Sequence, residues 1–166
     1  MQSVEEFLAY AVKIEEEAAM RFGELADAMQ TSGNSEVGKL FRRLSDYSRM
    51  HLADARARSA YRDIPNLKPS EFNWPDFESP ESAAIWAADP FICRGEALSI
   101  ARDAERASLD YYRQVYETTK DPEIKVLSKE FVDEETGHVT EIEKWLAAHQ
   151  AKEPLPQVFQ ESQLES

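Results

Sequence analysis

Apolar residues recur every three or four positions along four segments of the chain, which is the spacing of one buried face of an α-helix. In the first segment the stripe consists of Leu8, Ala11, Ala18, Phe22, Leu25 and Met29. Ser3 and Glu6 form a capping-box pattern just before this stripe, because they stand three residues apart. We therefore expect the first helix to open at Ser3 and to reach about Gln30.

The turn sequence TSGNS interrupts this pattern and separates the first helix from a second one. Asn34 or Ser35 can cap the second helix, because both side chains accept hydrogen bonds from free helical N–H groups. The apolar stripe then continues, and we expect the second helix to reach about Arg62.

Two Asp-Pro pairs predict the starts of the remaining helices, because they place an N-cap residue before a proline at the first helical position. The pair Asp89-Pro90 predicts a third helix that ends near Thr118. The sequence Asp121-Pro122-Glu123 predicts a fourth helix that reaches about His149. Only a short turn separates these two helices.

A long crossover at about residues 63–89 joins the second helix to the third. The stretch from Ile64 to Pro90 contains five prolines and cannot form one helix, although SPESAAIWAA within it predicts a short helix capped by Ser79. Two short connections around one long crossover predict an all-α, antiparallel four-helix bundle over residues 1–150. Residues 151–166 are expected to form an extended or mobile tail.

Composition and charge narrow the function classes. The 166 residues are 42% hydrophobic and 31% charged, which is typical of one globular domain. The net charge of −13 disfavours nucleic acid as a partner and suits a protein that attracts cations. Cys93 is the only cysteine, which excludes an internal disulfide or a CxxC metal site. No signal peptide or membrane-length apolar run is evident, so we expect a cytoplasmic protein without a membrane partner.

Side chains that can bind metal ions interrupt the apolar stripes. Glu15 lies within the stripe of the first helix, and Glu105 lies within that of the third. In the fourth helix Glu135 and His138 share the buried face one turn apart. Each of these residues alone has an ordinary explanation, because glutamates are common on solvated helix faces and a single core histidine is usually only hydrogen-bonded.

The second helix repeats the pattern of the fourth, with one difference. Ser48 and His51 have the spacing of Glu135 and His138, so a serine stands where the second pair has a glutamate. The single glutamates of the first and third helices correspond in the same way. The chain therefore consists of two similar hairpins, and five potential metal ligands converge on its central seams.

Charge provides the physical reason to expect a metal. A carboxylate in a bundle core loses hydration worth several kcal/mol unless it is paired or bound to a metal. No Lys or Arg occupies the central positions of the stripes, whereas two divalent cations would supply the missing positive charge. Carboxylate and imidazole ligands suit Fe, Mn or Zn.

At these residues the chain resembles the rubrerythrin-like branch of the ferritin-like superfamily, in the stretches AVKIEEEAAMRF, FRRLSDYSRMH, ALSIARDAERASLDYY and FVDEETGH. The resemblance implies a ferritin-like bundle and a di-iron site with one Glu from each of two helices and an ExxH pair from each of the others. Carried onto this chain, it implies the metal ligands Glu15, His51, Glu105, Glu135 and His138, with Ser48 at the degraded sixth position.

Ser48 leaves the site one carboxylate short, and three arrangements remain open. Water or hydroxide can replace the missing ligand, Tyr47 can substitute for it, or the site can hold one tight ion and a weak second one. The expected cofactor is accordingly two Fe ions, with a single ion and Zn or Mn as alternatives. Ser108 also stands where rubrerythrins proper have an additional glutamate. The sequence also lacks the four cysteines of their rubredoxin-type domain. We therefore do not expect the peroxidase activity of classical rubrerythrins.

The resemblance implies that the protein binds Fe(II) and oxidises it with O2 or peroxide, as a ferroxidase or peroxidase type of oxidoreductase, and that it forms a homodimer. Tyr112 is a candidate one-electron donor near the site or else a core residue. The alternative is a non-catalytic binding or structural protein whose degraded site holds one zinc or iron. We also expect Gly137, inside the fourth helix, to permit a close helix approach beside His138.

Overall fold

The computed structural model describes residues 3–74 and 91–154, and four long α-helices make up most of them. The helices are α1 (Val4–Thr31), α2 (Ser35–Ser59), α3 (Arg94–Thr118) and α4 (Pro122–Gln150). A short 3-10 helix, Pro69–Glu71, follows α2. The predicted helix in SPESAAIWAA and most of the predicted tail lie outside the described residues.

The helices pack as two hairpins, α1 on α2 and α3 on α4, which together form the bundle. No strand occurs in the two described ranges, so the all-α prediction is confirmed. None of the described helices combines the length and apolar character needed to span a membrane.

Two of the predicted helix starts are confirmed by their capping bonds. The Ser3 hydroxyl accepts a hydrogen bond from the Glu6 backbone N–H at 3.1 Å. The Asp121 carboxylate accepts from the backbone N–H groups of Glu123 and Ile124 at 2.8 and 3.1 Å. These bonds satisfy N–H groups that have no partner within the helix.

The predicted start of the third helix near Asp89-Pro90 is wrong. Cys93 is the N-cap of α3, and its sulfur accepts a hydrogen bond from the Glu96 backbone N–H at 3.4 Å. A contact with a residue far away in the sequence holds Ile92, just before Cys93, outside the helix. The Asn34 side-chain amide donates to the Ile92 carbonyl oxygen at 2.7 Å, and Ile92 is buried. Asn34 thus occupies the N-cap position of α2, but its side chain bonds to another segment instead of capping the helix.

The second helix ends at Ser59, three residues before the predicted Arg62. Tyr61 has a φ of 66°, a left-handed conformation that an α-helix cannot contain. The turn allows the Arg62 guanidinium to pair with both Glu5 at the start of α1 and Glu123 at the start of α4. This end of the bundle is therefore held by an ion-pair bridge that local helix propensity does not encode.

Two hydrophobic clusters fill the two ends of the bundle. The first-turn cluster, at the end where α1 turns into α2, includes Phe22, Leu25, Met29, Phe41, Leu98, Ile142 and Trp145. The second-turn cluster, at the end where α3 turns into α4, includes Phe7, Leu8, Ile14, Tyr111, Tyr112, Ile124 and Phe131. Between them every helix buries a polar side chain: Glu15, Ser48, Glu105, Ser108 and Glu135. The buried stripes predicted from the sequence thus form two apolar blocks with a polar layer in the middle.

Gly137 does not mark a close helix approach, so that prediction is wrong. It lies on an exposed part of α4, and a Cβ atom added there would meet nothing within 4 Å in the described structure. Packing against the described residues therefore does not offset the free-energy cost of a glycine inside a helix.

We expect Gly137→Ala to stabilise the metal-free protein by about 1 kcal/mol, because alanine loses less backbone entropy in a helix. For a chain of this size the midpoint of thermal unfolding should rise by about 2–4 °C. Ala53→Gly, an exposed interior position of α2, is the matched control and should lower it by a similar amount. A lower midpoint for Gly137→Ala would show that this face has a partner.

Candidate metal centre

The polar layer brings together residues from all four helices. Glu15 from α1, Glu105 from α3 and Glu135 from α4 are 1%, 6% and 1% exposed. They lie at the same level of the bundle because each falls between the two hydrophobic clusters along its own helix. Three carboxyl groups are thus withdrawn from water in the middle of the fold.

The two histidines face each other across α2 and α4. The rings of His51 and His138 are parallel to within 6°, with centroids 4.4 Å apart. His138 Nδ1 lies 3.4 Å from Glu135 Oε2 and 3.5 Å from Glu105 Oε2. His51 Nδ1 lies 4.0 Å from Glu15 Oε2. These contacts connect all five residues that the sequence singled out, so the structure places them in one cluster.

Three members of the cluster already have nearly the spacing of a metal site. One ligand atom each from His51, Glu135 and His138 lie within 4.8 Å of one another. Metal–ligand bonds of about 2.0–2.2 Å allow ligand atoms to be at most about 4.4 Å apart, so an adjustment of a few tenths of an ångström suffices.

The carboxylate of Glu15 provides a direct test of fit. Its Oε1 atom is buried and has no hydrogen-bond partner among the described residues. A buried acceptor in this condition costs free energy, which a bound cation would remove. The oxygen and imidazole donors are the types that iron, manganese and zinc accept, so the residues present fit a metal of this class.

Burial dominates the protonation of Glu15 and His51. It raises the pKa of Glu15 well above its usual range, and the negative charges of Glu135 and Glu105 raise it further. Burial lowers the pKa of His51 to about 3, and the neighbouring His138 lowers it too. At neutral pH His51 is therefore uncharged and able to act as a ligand, whereas the shift in the pKa of Glu15 is in the direction that favours its protonated form.

Glu105 and His138 form a charged pair. Burial opposes the charge of each, but the hydrogen bond and the opposite charges outweigh it. The pKa of His138 is raised to about 9 and that of Glu105 is lowered to about 2. Without a metal, the His138 imidazolium thus supplies positive charge to the carboxylates.

The sixth position is occupied by a small buried side chain. Ser48 lies on α2 one turn before His51 and is 4% exposed. Beside it, the ring of Tyr47 stands edge-on to both imidazoles, with centroids 5.0 Å from His51 and 4.6 Å from His138. Tyr47 therefore contacts the histidines directly, and its service as a substitute ligand stays a prediction.

Tyr112 lies in the second-turn cluster. It is fully buried, stacks on Phe131 at 4.9 Å, and contacts Phe7 edge-on at 6.1 Å. Both interpretations of Tyr112, core residue and one-electron donor, agree with this position.

An outer carboxyl group, Glu134, was missed from the sequence; Asp54, one turn beyond His51, lies close enough to influence it. The pKa of Glu134 is raised by burial and then by Asp54, while His138 lowers it. The signal was present in the helix register, because Asp54 follows His51 by three residues and Glu134 precedes His138 by four. Antiparallel helices bring residues at such offsets level with each other.

Comparisons with known proteins agree with this geometry. The family model described as Rubrerythrin matches residues 6–146. The crystal structure of an uncharacterized conserved protein from Magnetospirillum magnetotacticum MS-1 is similar to this chain, with a TM-score of 0.68 and 32% sequence identity. The similarity covers 94% of this chain and 99% of that protein. No curated protein matches this chain.

We expect metal affinity to rise with pH between 6 and 8. Metal ligation requires neutral imidazole, whereas His138, with its pKa raised to about 9, holds a proton in the metal-free state, as Glu15 tends to. Each proton released on binding changes the affinity by about tenfold per pH unit. Anaerobic Fe(II) calorimetry at pH 7 in two buffers of different ionisation enthalpy should show at least one proton released. Release of none would contradict the protonation assigned to His138.

Proposed function

The chain belongs to the rubrerythrin family, and on that basis we propose that its bundle binds Fe(II) and oxidises it with O2 or peroxide. The proposed ligands are Glu15, His51, Glu105, Glu135 and His138. One observation carries the proposal: five side chains of the types that bind iron converge from four helices in the middle of the bundle, and the three carboxyl groups among them are buried.

The charge of the cluster supports a cation as its natural occupant. The described carboxylates lie against two imidazoles, those of His51 and His138. Of the two, only His138 holds a proton near neutral pH, because the pKa of His51 is lowered to about 3. The His138 imidazolium pairs with Glu105, and a divalent ion would supply the further positive charge that lets the other buried carboxyl groups ionise.

The chain's own residues give the proposed centre its properties. Bound iron would supply the capacity to change between the ferrous and ferric states. The carboxylates favour the more highly charged ferric form, which lowers the reduction potential. The two apolar clusters above and below exclude water, and the small Ser48 leaves space where a sixth protein ligand would otherwise stand.

Tyr112 is proposed as a one-electron donor to this centre. It lies seven residues, or about 10 Å along the helix axis, beyond Glu105 on α3. Its stacking partner Phe131 precedes Glu135 by one turn of α4. The Tyr112 ring thus packs on an aromatic residue that lies one helical turn from a proposed ligand.

A second candidate function is favoured by the spacing of the cluster itself. The compact group of His51, Glu135 and His138 can hold one ion without the other glutamates. The protein would then be a non-catalytic iron or zinc protein that the metal stabilises. Such a protein should lose much of its thermal stability in chelator and show no oxidation of added Fe(II) above the rate in buffer.

Glu15→Gln tests the proposed iron site. We expect Fe(II) affinity to fall by more than about tenfold, since even outer-shell changes cost that much, and rapid Fe(II) oxidation to be lost. Anaerobic calorimetry measures the affinity and stopped-flow absorbance measures the oxidation rate. The metal-free variant should also unfold at a higher temperature, because a buried ionisable group has been removed.

Glu16→Gln is the matched control, since Glu16 is the next residue, exposed, and paired with Arg56 on the surface. It should bind and oxidise iron as the unmodified protein does. Equal behaviour of the two variants would exclude Glu15 as a ligand.

Ser48→Glu tests whether Ser48 occupies a degraded ligand position. We expect the number of ions bound per chain to rise toward two, because a fourth carboxylate balances two divalent ions. Without metal the same variant should be less stable, since it buries one more carboxyl group. Ser48→Ala is the control and should leave the number of ions unchanged. A lower number of ions bound to Ser48→Glu would show that the position is misassigned.

A further inference from the structure

We propose, resting on the proposed function, that Tyr112, Tyr111 and Trp74 form a path that carries single electrons between the metal centre and the protein surface. The path begins in the second-turn cluster and ends on the segment that follows α2. The path would give a role to these three aromatic residues, none of which is a proposed metal ligand.

The rings along this path are in continuous contact. The centroids of Tyr112 and Tyr111 are 5.5 Å apart, and those of Tyr111 and Trp74 are 5.7 Å apart. Tyr10 supports the second step, because it stacks on Tyr111 at 6.3 Å and meets Trp74 at 4.9 Å. Tyrosine and tryptophan are the side chains that lose a single electron most readily among the aromatics, and short gaps between their rings allow electrons to hop.

The inner end of the path lies next to the proposed iron ligands. Tyr112 follows Glu105 by two turns of α3, and Phe131, on which it stacks, precedes Glu135 by one turn of α4. Seven residues of helix separate Glu105 from Tyr112 by about 10 Å along the α3 axis, a distance across which a single electron can tunnel.

The outer end is held firmly and reaches water. The Trp74 ring stacks on Phe72 at 5.3 Å with the planes 2° apart. The Asn73 backbone N–H, between these two residues, donates to the Tyr10 hydroxyl at 2.8 Å. Trp74 is half-buried, so its ring is both fixed against the bundle and partly accessible to solvent.

Tyr111 and Trp74 differ in what each can do with a proton. A tyrosine that loses an electron must also release its phenolic proton, but the buried Tyr111 hydroxyl has no hydrogen-bond partner among the described residues. Burial also raises the pKa of Tyr111, as do Tyr10 and Glu6. Tyr111 would therefore not hold a radical itself; its ring would serve as a bridge across which the electron tunnels between Tyr112 and Trp74. Trp74 is close to water, so it can release its indole proton and hold the radical.

The electron balance shows where the path is needed. Hydrogen peroxide takes up two electrons and two protons to form two waters. Bound Fe(II) would supply one electron, the Tyr112 phenol would supply the second electron and one proton, and solvent would supply the other proton. Trp74 then returns an electron to Tyr112 through Tyr111 and loses a proton to water, while the Tyr112 oxygen regains one. A small one-electron reductant in solution finally restores Trp74. With Ser48 weakening the second metal position, this second electron becomes important.

The test mixes Fe(II)-loaded protein with hydrogen peroxide and freezes samples at successive times. Optical absorbance measures Fe(III), and electron paramagnetic resonance measures organic radicals. Ring-deuterated tyrosine narrows a tyrosyl signal but leaves a tryptophanyl signal unchanged, so it identifies the radical. We expect a tryptophanyl radical in the unmodified protein. In Trp74→Phe we expect a tyrosyl radical that persists at least tenfold longer, and Trp74→Tyr should restore rapid decay.

Trp145→Phe is the matched control, because Trp145 lies in the first-turn cluster at a similar helical distance from His138. It should leave the radical unchanged. If Fe(III) forms but no aromatic radical appears, or if Trp74→Phe and Trp145→Phe behave alike, the electron path is overturned and the proposed function stands. If no Fe(III) forms beyond the rate in buffer, the proposed function fails and the path fails with it.

Discussion

The burial of three carboxyl groups in the middle of a four-helix bundle is the constraint on which the rest of this structure depends. Glu15, Glu105 and Glu135 are almost fully withdrawn from water, and each loses hydration worth several kcal/mol if it is charged. Protons and His138 offset this cost in the metal-free protein, and a cation would offset it more fully. The two apolar clusters make the layer possible, because they hold the four helices together on either side of it.

Much of this arrangement could be predicted from the sequence, because its causes are local. The stripe residues such as Phe22, Phe41 and Leu98 are buried as the helical period requires. Ser3 and Asp121 cap helices through bonds to residues two or three positions away. The proposed ligands could be selected because they are ionisable residues that interrupt otherwise apolar stripes.

The errors arise where distant contacts outweigh local signals. Asp89-Pro90 is a good local start for a helix, yet the Asn34 side chain binds the Ile92 carbonyl and Cys93 begins the helix instead. Likewise, α2 ends three residues before the predicted Arg62, and Arg62 forms ion pairs with Glu5 and Glu123 on other helices. The prediction for Gly137 was wrong for the opposite reason. The free-energy cost of a glycine inside a helix suggested a packing partner, and the described structure contains none. A one-dimensional pattern carries no information on which segments meet.

The two ends of the bundle are apolar in different ways, and the difference bears on chemistry. The first-turn cluster consists mainly of aliphatic residues with Phe22, Phe41 and Trp145, whereas the second-turn cluster brings Tyr10, Tyr111 and Tyr112 together. Packing alone does not require this asymmetry, because phenylalanine would fill the same space without a hydroxyl to bury. Burying the Tyr111 hydroxyl without a hydrogen bond costs free energy that stability does not explain. A role in moving electrons would account for tyrosine there, and it would place the three clustered tyrosines on one side of the polar layer.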